Sequence, residues 1–104
     1  MIRLAIAEPA ECDLDSIIDY MALDNSTAAE RVYRAIVAAA ERLTKFPELG
    51  RSGRLPGTRE FSVSSLPYLI VYEVGADIVT ILAVFHTSRD LARVLAERKS
   101  KLKQ

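Results

Sequence analysis

Apolar residues recur at two different periods along this chain, and the change of period divides it into a helical half and a sheet half. "IRLAIAE", Ile2 to Glu8, alternates briefly and predicts a short strand. Pro9 breaks it and is well suited to open a helix, where its missing N–H is not needed. Leu14, Ile17, Ile18 and Met21 then fall at i, i+3, i+4 and i+7, one face of a first helix. Glu11, Asp13, Asp15 and Asp19 lie near its start or on the other side, and are expected to be a solvated face that suits the helix dipole. "DNS" reads as a turn. Thr27 with Glu30 three residues on has the spacing of a capping box and predicts the start of a second helix. Val32, Ile36, Ala39, Leu43 and Phe46 continue as an unbroken apolar seam, which Pro47 and Gly50 end. Two such helices joined by a short polar turn are expected to pack as an antiparallel hairpin.

"GRSGRLPG", Gly50 to Gly57, reads as a loop. It lacks the G-x-x-x-x-G-K-[ST] pattern and does not join a strand to a helix, so its glycines are expected to serve turns and not to cradle a phosphate. From Thr58 the period becomes two. "TREFSV" predicts a strand with Arg59, Phe61 and Val63 on one face. "YLIVYEV" is rich in β-branched and aromatic residues, and "GAD" is a tight connection to "IVTILAVF". In that last strand strict alternation sets Ile78, Leu82 and Val84 against Val79, Ile81 and Phe85. A strand apolar on both faces needs covering twice. The helical hairpin covers one face, and the other calls for a C-terminal helix or a partner. Thr87 and Asp90 offer a further helix start, with Leu91, Val94, Leu95 and Leu102 set among bases. The predicted fold class is α+β: an N-terminal strand, an antiparallel helical hairpin, a three-stranded antiparallel meander completing a four-stranded sheet, and a short basic C-terminal helix.

Composition narrows the function classes. With 104 residues, 50% of them apolar, the chain has room for one core, so residues 1–104 are read as one domain with 89–104 as a basic helix or tail. A single cysteine, Cys12, excludes an internal disulfide, and with one histidine a metal site is not expected. No apolar run suggests a membrane span, and the N-terminus lacks a signal-peptide layout, so a cytoplasmic location is expected. Net charge is zero but segregated: residues 1–30 carry seven acids against one base, whereas residues 89–104 carry six bases against two acids. That distribution gives an acidic face and a basic end.

An ordered set of segments carries a resemblance. "AECDLDSIIDY" has the form A-x-x-D-L-x-x-I-x-x-Y, and "LTKFPELGR" has the form L-x-x-x-P-x-x-G-R. "GTRE", "YLIVYEV" and an apolar strand closing H-x-x-R at His86 and Arg89 come after them in order. Together, over about residues 3 to 90, the chain resembles the RelE/ParE superfamily of bacterial type II toxin–antitoxin systems, ParE-like more than RelE-like. The resemblance implies a small toxin in a hetero-oligomer with a cognate antitoxin, whose C-terminal segment wraps the toxin's helices and sheet. It also implies one of two mechanisms. RelE-like members cut messenger RNA on the ribosome, whereas ParE-like members inhibit DNA gyrase by binding. A further possibility is an inactive member that only binds its antitoxin.

Metal-free RNA cleavage needs a base for the 2′-hydroxyl, an acid for the leaving oxygen, and cations facing the developing charge. By resemblance the candidates are Arg59, Glu60, Tyr68, Tyr72, His86 and Arg89, with Arg59, Glu60, His86 and Arg89 as the set a ribonuclease would use. Alternation puts Arg59 and Glu60 on opposite faces. Leu69 stands where some ribonuclease members carry an arginine. Neither that strand nor its neighbour carries a lysine, and a net charge of zero suits RNA poorly. His86 is expected to be a rim residue ending a core strand. The expectation is therefore a docking protein: Leu14, Ile17, Ile18, Met21, Tyr68 and Tyr72 toward the antitoxin, and Arg59, His86, Arg89 and Arg93 toward gyrase. No cofactor, metal or direct nucleic-acid contact is expected on that reading.

Overall fold

In the computed structural model the described residues are 2–87 together with Arg93, Leu95, Glu97 and Arg98. The elements run β1 (Arg3–Ile6), α1 (Glu8–Ala22), α2 (Ser26–Lys45), a 3₁₀ turn (Pro47–Leu49), β2 (Arg51–Ser52), β3 (Arg59–Ser62), β4 (Tyr68–Val74) and β5 (Ile78–His86). The fold class is α+β as expected, but the sheet has five strands and not four, in the order β1-β5-β4-β3-β2. The extra strand comes from the stretch read as a loop: Arg51 pairs with Glu60 and Ser52 with Arg59. Two residues are too few to show a period, so no alternation could announce them. The sheet is also mixed. β1 runs parallel to β5, and α1 and α2 lie between β1 and the rest of the sheet in sequence.

Pro9 sits in the first turn of α1 as expected, with Glu8 and Glu11 also there. The start of α2 differs from the capping-box reading. Asn25 is the N-cap, and its side-chain oxygen accepts from the Ala28 backbone N–H at 3.0 Å. Asparagine at least equals threonine as a cap, and here it sits where the chain is still extended, at φ −156°. Both helices pack on one face of the sheet. Leu14, Val32, Ile36 and Leu43 meet Tyr68, Ile70 and Tyr72 of β4 and Val79, Ile81 and Val84 of β5 in the main core. Phe46, placed last in the apolar seam, is instead the C-cap of α2 and stands 57% exposed.

Strict alternation along β5 fails at one point, for a local reason. Val71 pairs with Ala83 but Tyr72 pairs with Ile81, which leaves Leu82 as an extra residue in a β-bulge. The extra residue flips the parity of every later position in the strand. Val84 thus joins Val79 and Ile81 toward the helices, while Ala83 and Phe85 face the other way with Leu69 and Val71. That second face has its own small core, closed by Leu95. Cover from beyond β5 was expected, and the four described residues there have helical backbone. The rest of the predicted C-terminal helix, Arg89 included, lies outside the described residues. Among the described residues no helix is long and apolar enough to cross a membrane.

Candidate interaction site

The sheet carries polar groups on both faces, and each is organised by residues distant in sequence. On the helix side Tyr72 is buried in the core, and its hydroxyl links three segments. It donates to the Pro47 carbonyl at 2.7 Å and accepts from the Gly50 N–H at 2.9 Å. Burial pushes this hydroxyl above its ordinary value of 10.0, while the Gly50 bond and the nearby Arg59 charge act the other way. Arg59 lies opposite Tyr72 on β3, and its Nη1 donates to the Gly50 carbonyl at 2.7 Å. Gly50 has to be glycine, because a Cβ there would lie 2.5 Å from the Tyr72 hydroxyl oxygen and 2.9 Å from the Glu60 carbonyl. Next to this knot a cleft of about 670 Å³ opens between the end of α2, the 3₁₀ turn and the β4–β5 connection.

On the other face Glu60 is the single buried charged residue among the described ones, 3% exposed. Its carboxylate accepts from the Arg54 N–H at 2.9 Å and lies 3.7 Å from the Arg51 guanidinium. It therefore pins the β2–β3 connection. Asp13 was expected on a solvated helix face, and the structure corrects this. Its side chain is 9% exposed, accepts from the Val84 N–H at 3.0 Å, and takes two bonds from Arg98 at 2.8 and 2.6 Å. The Arg98 guanidinium also lies 4.6 Å from the centre of the Phe85 ring. The Asp13 hydrogen bonds raise the pKa of Arg98 beyond its already high value, although burial opposes them. No spacing in the sequence links residues 13, 84 and 98. The only hint was that Asp13 precedes Leu14, a member of the apolar face.

Of the set a ribonuclease would use, the described members Arg59, Glu60 and His86 are not gathered, and Arg89 lies outside the described residues. Arg59 pairs with Tyr72, and His86 pairs with Tyr68 at the far end of β4, four residues away and so about 13 Å along the strand. Glu60 faces away from Arg59, as alternation requires, and is taken up by Arg51 and the Arg54 N–H. His86 ends β5, as expected, with its ring edge-on to Tyr68 at 5.5 Å between centres. Tyr68 donates in turn to the Met21 sulfur at 3.8 Å. Of the target-facing set, Arg93 is exposed and bonded to Glu97. Of the antitoxin-facing set, Leu14, Tyr68 and Tyr72 are core residues in this chain, because they fill the space between helices and sheet. Ile17, Ile18 and Met21 are only partly buried against that core. Reasoning from the sequence missed Tyr20 and Leu23, which stand 78% and 83% exposed at the end of α1. Among the described residues no group of His, Cys, Asp and Glu side chains is placed to hold a metal ion.

Known proteins share this fold and much of this sequence. Residues 4–91 match the family described as the ParE toxin of the type II toxin–antitoxin system parDE. The Y4kP protein of Sinorhizobium fredii is 39% identical over 82 residues, covering 79% of this chain and 84% of that protein. Toxin ParE3 of Caulobacter vibrioides is 31% identical over 101 residues, covering 94% of this chain and 99% of its own. Toxin RelE2 of the same organism is 35% identical over 80 residues, covering 77% and 89%. A solved chromosomal ParDE system of P. aeruginosa superposes with a TM-score of 0.73 at 26% identity, covering 83% of this chain and 96% of that one. The chain therefore belongs to the ParE toxin family of type II toxin–antitoxin systems, within the wider RelE/ParE superfamily.

Proposed function

We propose that this toxin arrests growth by docking on DNA gyrase, without breaking a bond itself, and that a cognate antitoxin holds it inactive in a hetero-oligomer. One observation carries the reading: among the described residues the sheet does not assemble a cationic centre. β4 and β5 contribute neither lysine nor arginine, and Arg59 lies at the opposite end of β4 from His86. Stabilising a phosphorane takes preorganised donors about 3 Å from the developing charge, and separated single cations supply little of that. The antitoxin would contact the half-buried Ile17, Ile18 and Met21 beside the exposed Tyr20 and Leu23. Leu14 and Tyr68 would shape that surface from beneath, whereas Tyr72 lies by the 3₁₀ turn at the end of α2. His86, Arg89 and Arg93, at and beyond the end of β5, would meet the target.

The test is purified chain in a gyrase supercoiling assay, with translated messenger RNA monitored in parallel. Supercoiling should stop at saturating toxin while the RNA stays intact. Unaffected supercoiling would remove gyrase as the target. A second reading, ribosome-dependent RNA cleavage, is favoured by the RelE2 relative and by the edge-on contact of the Tyr68 and His86 rings. On that reading His86→Ala and Arg89→Ala should each cost ~100-fold or more in cleavage rate. Induced expression with no growth arrest would leave an inactive, antitoxin-binding member.

A further inference from the structure

We infer that the cleft between the end of α2 and the β4–β5 connection is a docking pocket for the antitoxin, receiving an apolar side chain flanked by carboxylates. The inference rests on the toxin–antitoxin reading above. Seven large apolar side chains stand exposed among the described residues, and three of them, Phe46, Leu49 and Val74, gather on this one cleft. An apolar wall of this kind is costly in water, and a partner that stays bound offsets the cost better than a transient target does. A neutralising antitoxin is such a partner.

Charge specifies the occupant further. The cleft holds two cations, Lys45 and Arg59, against one acid, Glu48. Elsewhere the partly or fully buried charges have partners: Asp13 holds Arg98, and Glu60 holds Arg51 and the Arg54 N–H. Arg59 is half-buried and fixed through a single N–H to the Gly50 carbonyl. Among the described residues no carboxylate lies within 4.0 Å of Arg59 or of Lys45. A guanidinium oriented by a backbone carbonyl, with other donors left over, is set to receive a carboxylate in paired geometry. The chemistry that satisfies both features is an acidic segment with a buried aliphatic or aromatic residue. Arg59, expected from the sequence to face the target, is thereby assigned to the antitoxin.

The experiment measures binding of the purified chain to its cognate antitoxin, by calorimetry, with growth arrest scored for each variant. Lys45→Glu and Phe46→Asp change exposed positions and should each weaken binding about 10-fold or more. Arg59→Gln should do so more strongly, and Arg34→Glu, on the open face of α2, should stay within about twofold of wild type. Unchanged unfolding midpoints for Lys45→Glu and Phe46→Asp separate lost contact from lost fold. Replacing an acidic residue of the antitoxin by lysine should restore affinity for Lys45→Glu if the two meet. Wild-type affinity for both Lys45→Glu and Phe46→Asp overturns the inference. So does lost growth arrest with antitoxin binding intact, which would place the target in the cleft. A wild-type chain that does not bind the antitoxin at all overturns the toxin–antitoxin pairing itself.

Discussion

Tyr72 shows how much a single hydroxyl can organise. It sits mid-strand in "YLIVYEV", where alternation alone makes it a core residue, yet its oxygen holds the 3₁₀ turn and the start of β2 against the sheet. Replacing it with phenylalanine leaves the Gly50 N–H and the Pro47 carbonyl without that partner, one of them in a buried setting. Tyr72→Phe should therefore cost about 1–2 kcal/mol in urea unfolding. The same residue predicts a pH effect. Its folded pKa is raised above 10.0 by burial, so the folded state keeps the proton that the unfolded chain gives up. The stability this contributes is complete below pH 10.0 and is lost as pH climbs through the raised value. Wild-type protein should thus lose stability on going above pH 10, and Tyr72→Phe should lose less over the same interval. The tyrosine's burial was legible in the sequence, but the partners of its hydroxyl were not, since both lie more than 20 residues away.

At the scale of elements, local chemistry placed most of the boundaries and missed where two local signals competed. Pro9, the "DNS" turn, Pro47 and the "GAD" connection all mark real ends. The Thr27 and Glu30 spacing put the start of α2 at Thr27, whereas the structure caps the helix with Asn25, from within the "DNS" turn. Asn25→Ala should cost about 1 kcal/mol in thermal or urea unfolding, and Thr27→Ala about half that or less. The opposite ranking would restore the capping box. The bulge at Leu82 is a different kind of miss. A bulge adds a residue without any composition mark, so a reading that assumes period two assigns every later side chain to the wrong face. Val84 was accordingly placed with Leu82, whereas it packs beneath the helices. β2 escaped for a related reason: its two residues form a strand only because β3 is there to pair with them.

On the scale of the whole molecule, the sheet is covered twice, and the second cover is locked by residues 85 positions apart. Asp13 from α1 grips Arg98, which lies over Phe85 beside the buried Leu95. Asp13→Ala leaves a guanidinium and the Val84 N–H uncompensated in a mostly dry setting, and should cost about 2–4 kcal/mol in urea unfolding. Combined with Arg98→Ala, the two losses should be clearly less than additive, by about 1 kcal/mol or more. Strict additivity would show that the pair does not hold the cover down. The acidic and basic ends of the chain, conspicuous as a bulk asymmetry, thus meet at one point as a specific pair. The sequence by itself determined the helices, the principal strands, the two-faced demand on β5 and the family, because periodicity, turn residues and ordered motifs act over short ranges. Only the tertiary structure decided which carboxylates are buried, where the sheet gains its fifth strand, and which cations lie together. Those depend on contacts between segments that pair only once the chain has closed on itself, and no local pattern records them.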